Sequence, residues 1–156
     1  MTEAEPARNL ENYIGYTFYN PAILEEALTR RAHLNENPTP DEMCMNPLAT
    51  LGDAVLDTIS VYRLYEKGIR TVKELTECKI SEVRRERTHS FADQHKLGKY
   101  VHWGKGEDKD EIWDKSDRAL DAVTEALIGA VYLDAQRNGM NGMTVVNDML
   151  ERMKFF

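Results

Sequence analysis

The segment AVTEALIGAVYLDA, residues 122–135, constrains the fold more than any other stretch of the chain. It lies inside a helical run from about Ser116 to Gln136 and is apolar on nearly every side. A helix on a globular surface carries a single apolar stripe, whereas a helix that is apolar all round must be surrounded by other elements. The pattern therefore predicts a helix at the middle of a bundle.

The elements that surround it also read as helices. Asn20-Pro21 is an N-cap followed by proline at the first helical position, and it opens a helix with Ile23, Leu24, Ala27 and Leu28 on one face. The stretch Asn35-Glu-Asn-Pro-Thr-Pro40 ends that helix, because proline cannot continue the hydrogen-bond ladder. A long helix is predicted from about Pro47 to Lys67 with Gly68 as its stop, then shorter ones over Thr71–Cys78 and Ile80–His95. Asn138-Gly139 closes the central helix, and a last amphipathic helix carries Val145, Val146, Met149, Leu150 and Met153. Strict alternation around hairpin turns is missing, and no internal repeat is visible. With 156 residues the chain suits one domain with a sizeable core. The expectation is an all-α bundle, with residues 1–9 as an N-terminal tail and 10–156 as a single domain.

Composition narrows the function classes. Apolar residues make up 42% of the chain, as in ordinary globular proteins, and no run approaches the roughly 18 residues of a membrane span. The polar, acidic start lacks a signal-peptide pattern. Cys44 and Cys78 show no paired metal spacing, which points to a reduced, cytoplasmic setting away from membranes. The histidines at 33, 89, 95 and 102 have no ligand spacing and receive no catalytic role; P-loop, dinucleotide and nucleophile-elbow motifs are missing as well. A net charge of −7 argues against a nucleic-acid partner when taken alone. The distribution counters it: acids gather at the amino end and in Glu107–Asp117, bases at Arg30–Arg31 and in Lys79–Arg87.

Two acids are out of keeping with their surroundings. Asp53 lies in Leu51-Gly-Asp-Ala-Val-Leu56, and Glu125 has Ala122, Ile128, Gly129 and Tyr132 as same-face neighbours. Burying an ionised carboxylate without a partner costs several kcal/mol, so such acids are paired, metal-bound or in fact solvated. Facing each other across a bundle, the two would form an oxygen-rich site suited to a hard cation. On pattern alone, a solvated acid or one paired with an arginine accounts for each of them as well.

At these residues the sequence resembles a known family. NPLATLGDAVLD (46–57) resembles the signature helix of ribonuclease III enzymes, and EALIGAVYLD (125–134) their second acidic helix. EEALTRRAH (25–33) resembles the family's opening helix and GKGE (104–107) the loop before the second motif, all in the family's order. The resemblance implies an all-α domain that dimerises and hydrolyses phosphodiesters in double-stranded RNA with Mg²⁺, Mn²⁺ being an alternative ion. It assigns Asp53 and Glu125 as catalytic metal ligands. Precursor ribosomal RNA is the substrate class by analogy.

The resemblance also has departures. The family pattern places acids where this chain has Asn46, Ala49 and Ala122. Asp121, one residue before Ala122 and one helical turn before Glu125, is a candidate third ligand, with a solvated acid as the alternative. The small Mini-III branch of the family has a similarly reduced set and is regarded as catalytic, so the favoured reading is an active endoribonuclease. The alternative is an inactive RNA-binding or ribonucleoprotein-interaction domain.

Arg30 and Arg31 at the end of the opening helix, and Lys105 in a glycine-flanked loop, are the candidate RNA phosphate contacts; surface ion pairing is the competing role. Lys79, Arg84, Arg85 and Arg87 read as a solvated basic face balanced by Glu82 and Glu86. Met43, Met45, Tyr62, Tyr65 and Trp103 read as core or dimer-interface residues.

Overall fold

The structure is a computed structural model that describes residues 4–109 and 117–156. Helices follow one another along the chain: α1 (Ala7–Ile14), α2 (Pro21–Ala27), α3 (Arg31–Glu36), α4 (Asn46–Glu66), α5 (Val72–Glu77), α6 (Ser81–Gln94), a 3₁₀ turn (Leu97–Tyr100), α7 (Lys105–Lys109), α8 (Asp117–Arg137) and α9 (Gly142–Arg152). Among the described residues there is no strand, only an isolated bridge between Thr29 and His102.

The central helix is where the sequence puts it. α8 packs against α4, α6, α9 and α2, and its Val123, Ala126, Leu127, Ile128, Val131 and Ala135 are all buried. Burial of each large apolar side chain stabilises the fold by about 1.5–3 kcal/mol, so α8 is the main organiser of the core. Two glycines let α4 reach it. A Cβ on Gly52 would overlap the carbonyl oxygen of Glu125, and one on Gly129 would overlap that of Leu48. The backbones thus touch, and because Gly52 meets Glu125 while Leu48 meets Gly129, the two helices run antiparallel.

The caps follow from local chemistry. Asn20 Oδ1 accepts from the Ala22 N–H at the start of α2, Thr71 caps α5, and Asn141 caps α9. After α4, Gly68 takes φ +97°, and the N–H groups of Gly68 and Ile69 donate to the Tyr65 and Leu64 carbonyls, as the predicted glycine stop requires.

One predicted element divides. The helix expected to run unbroken from Asn20 to Asn35 is interrupted at Leu28–Arg30 and resumes as α3. A competing set of partners takes those backbone groups: His102 N–H donates to the Leu28 carbonyl at 2.8 Å, Arg30 N–H donates to that of His102 at 3.3 Å, and Met45 N–H donates to that of Thr29 at 2.9 Å. A buried backbone satisfied this way loses nothing by leaving the helix. The break anchors the start of α4 and the segment before α7 to the same point.

Asp134, near the end of α8, fixes the amino-terminal part to the bundle. It is fully buried and accepts from the Tyr16 hydroxyl at 2.7 Å and from the N–H groups of Tyr19 and Asn20 at 2.9 and 3.0 Å. Burial and this carboxylate hold the Tyr16 phenol above its usual pKa. Cys44 and Cys78 are free thiols, and no helix among the described residues is long and apolar enough to cross a membrane.

Candidate active site

Where α4 and α8 touch, their acids share one rim. Asp53 stands on α4 beside Gly52, whose backbone abuts Glu125, and Asp121 lies one turn before Glu125 on α8. The side chain of Asp53 is half exposed, that of Asp121 is largely covered, and Glu125 is half-buried. Asp53 and Glu125, which the sequence suggested could face each other, thus lie near each other on two touching helices, with Asp121 one turn along α8. Glu125 has its pKa pushed up to about 8, first by burial, then by its hydrogen bond with Asp121 and by the charges of Asp121 and Asp53. Asp53 is raised too, by burial and then by Asp57, against the pull of Arg84. Carboxylates that raise one another's proton affinity in this way, with Glu125 pushed up to about 8, form a donor set that a hard divalent cation would relieve.

The positions where the ribonuclease III pattern has further acids contribute none. Ala49 and Ala122 are partly buried against the core, and Asn46 is exposed at the start of α4. Among the described residues, no three acidic, histidine or cysteine side chains close on a common point as they stand. Neighbouring side chains engage two of the carboxylates. Thr88 donates to Asp121, Arg85 lies 3.9 Å from the same carboxylate, and Arg84 takes Asp53.

Arg84 corrects the sequence reading. It belongs to no solvated basic face, since it is only 7% exposed and reaches from α6 to α4. Its Nη1 donates to Asp53 Oδ1 at 3.1 Å, and its Nη2 donates to Asp57 Oδ1 and to the Cys78 carbonyl at 3.3 Å. Arg87 is exposed as expected, and the side chain of Glu82 lies outside the described residues. The missed signal was periodicity: Arg84, Thr88, Phe91 and Ala92 recur at helical spacing and are all buried, so Arg84 lies on the apolar face of α6. Asp57, also unassigned from sequence, is one turn beyond Asp53.

The three candidate phosphate contacts meet at the edge formed by α3 and α7. Arg30 is the residue before α3 and does not end the opening helix as predicted; its Nε and Nη2 donate to Glu107 Oε2 at 3.1 and 2.7 Å, and its guanidinium lies over Trp103. Lys105 opens α7, its N–H donating to Glu36 Oε1 at 3.0 Å, so it is not in the free loop that its flanking glycines suggested. Arg31 and Lys105 are exposed. Most of the acidic run Glu107–Asp117 lies outside the described residues. Of the residues read as core or interface, Met45 is fully buried, Trp103 is partly buried, and Met43, Tyr62 and Tyr65 are exposed.

A family model described as ribonuclease-III-like matches residues 20–151. Ribonuclease 3 of Dehalococcoides mccartyi strain CBDB1 is 35% identical over 146 residues, an alignment covering 92% of this chain and 58% of the relative. Ribonuclease 3 of Lactiplantibacillus plantarum is 31% identical over 138 residues, covering 85% and 58%. The chain thus spans 58% of the length of these two curated relatives. Among solved structures, the nuclease domain of ribonuclease III from Campylobacter jejuni, described for flexibility in a region involved in dimer formation, superposes with a TM-score of 0.75. It is 24% identical, with 92% of this chain and 94% of that one covered, and this likeness establishes the fold.

Proposed function

The chain belongs to the ribonuclease-III-like family, and from that premise we propose that it is a divalent-metal-dependent endoribonuclease hydrolysing phosphodiester bonds in double-stranded RNA. The observation that carries this reading is the meeting of Asp53, Asp121 and Glu125 at the glycine-mediated crossing of α4 and α8, with Glu125 pushed up to about 8 by burial and its acidic neighbours. Oxygen donors of this kind fit Mg²⁺, or Mn²⁺ in its place. When bound, such an ion supplies an activated water and offsets charge on the attacked phosphate. The residues themselves hold that position: Gly52 and Gly129 bring the two helices together, Asp53 and Glu125 offer the central carboxylates, and Asp121 the third. Arg31 and Lys105, with Arg30 fixed by Glu107 behind them, offer cations to the phosphates of a duplex read mainly by its shape. RNA processing, with precursor ribosomal RNA as substrate class, is the role this activity would serve in the cytoplasm.

A homodimer belongs to the same proposal. Tyr62 and Tyr65 on α4, Val72 at the start of α5 and Ile80 just before α6 are exposed large apolar side chains, and no residue of α5 is buried. Such a surface on a small domain suits a partner of the same kind. A second reading, a domain that binds RNA or protein without cutting, is favoured by two observations: Asp53 is already paired with Arg84, and residues 46, 49 and 122 offer no acid.

Incubation of a long labelled RNA duplex with the protein and Mg²⁺ or Mn²⁺ separates the two. The expected result is cutting that disappears in Asp53→Asn and in Glu125→Ala. An intact duplex with both ions, at high concentrations of folded protein, would leave the non-cutting reading standing.

A further inference from the structure

Among the described residues, Arg84 is the single lysine or arginine in the buried set, and it lies beside the carboxylates. We propose that Arg84 is a positioning residue that takes the place of a divalent cation: it neutralises Asp53 and Asp57 in the metal-free chain, sets how tightly the site takes an ion, and releases Asp53 when one binds. This rests on the metal-dependent reading above.

The contacts divide unequally between the two acids. Nη1 serves Asp53, through its Oδ1 at 3.1 Å and its carbonyl at 3.5 Å, while Nη2 serves Asp57 and the Cys78 carbonyl. One planar fork therefore spans two successive turns of α4. A buried arginine stripped of all partners would cost several kcal/mol. Here release of the Asp53 carboxylate leaves Nη2 with Asp57 and the Cys78 carbonyl, and Nη1 with the Asp53 carbonyl at 3.5 Å, so the buried guanidinium keeps its charge partner. The Asp53 side chain is also the most exposed partner, at 50% against 30% for Asp57 and 8% for Arg84. It can turn toward Glu125 and Asp121 while Arg84 and Asp57 stay paired. The positive charge opposes a divalent ion arriving at the same acids, so Arg84 trades ion affinity for a stable metal-free fold.

The test is Mn²⁺ affinity by titration calorimetry for the wild type, Arg84→Gln, Arg84→Lys and Asp53→Asn, with thermal unfolding in chelator alongside. Removal of the charge in Arg84→Gln is expected to tighten Mn²⁺ binding by about tenfold and to lower the chelated melting temperature. Arg84→Lys keeps the charge and returns the affinity to within about threefold of the wild type. Arg84→Met, uncharged and of similar reach, carries the same expectation if Arg84→Gln fails to fold. A role confined to holding the fold would weaken Mn²⁺ binding together with stability, and that result, or an unchanged affinity, overturns the inference. A wild type that binds no Mn²⁺, or binds it equally well as Asp53→Asn, overturns the metal reading of the site itself, which distinguishes the two failures.

Discussion

Asp134 and Glu125 are acids on the same helix with opposite surroundings. Asp134 is fully buried yet accepts from three donors, so its oxygens are satisfied by oriented dipoles. Glu125 is less buried but faces other carboxylates, and it keeps its proton up to about pH 8 where an unperturbed glutamate loses it near 4.5. The folded chain thus binds more protons than the unfolded chain between those values. Without metal, the contribution of Glu125 to stability is fully present below about 4.5 and is lost as pH rises through about 8. Discounted for partial exposure, the loss is on the order of 1–2 kcal/mol, or a few degrees in melting temperature. Glu125→Gln should abolish RNA cutting and raise the chelated melting temperature at pH 8.5, flattening the dependence. Melting curves of the two proteins from pH 5 to 9 in chelator check this. A wild type as stable at pH 8.5 as at pH 5.5 would contradict it.

At the scale of elements, the site depends on two helices touching backbone to backbone. Gly52→Ala places a methyl group against the Glu125 carbonyl, which neither backbone can avoid without separating α4 from α8. The expected cost is about 3 kcal/mol or more, since overpacking at a helix crossing forces the whole contact apart. Gly106→Ala is the control, because nothing lies within 4 Å of a Cβ there and the helix gains propensity. Urea unfolding of both variants gives the comparison, and equal midpoints would mean that the crossing is not fixed by its glycines. Most elements were legible from sequence: the Asn20 cap, the glycine after α4 and the all-apolar run of α8 are local chemistry. The division of the opening helix was not, because Thr29 is diverted by partners at Met45 and His102, far along the chain.

For the whole molecule, the proposed dimer places its contact on the exposed tyrosines of α4. Tyr62→Glu combined with Tyr65→Glu should leave the fold intact and convert a dimer into a monomer, because both side chains are already exposed on the single chain. Sedimentation velocity with circular dichroism reads both properties. A wild type that sediments as a monomer at tens of micromolar would remove the dimer from the proposal. The same surface explains why the sequence left Tyr62 and Tyr65 between core and interface: helical periodicity marks an apolar face without saying what covers it.

The sequence by itself determined the helical class and the central place of α8, and it singled out Asp53 and Glu125 as candidates, because each follows from periodicity or from a short motif on one element. Only the tertiary structure decided that Arg84 leaves the surface to bridge Asp53 and Asp57, that Thr88 takes Asp121, and that Glu107 holds Arg30. These are choices among partners from different helices. A charged side chain at a given position reads the same in sequence whether it meets water or a carboxylate, and helix packing brings one of the two within reach.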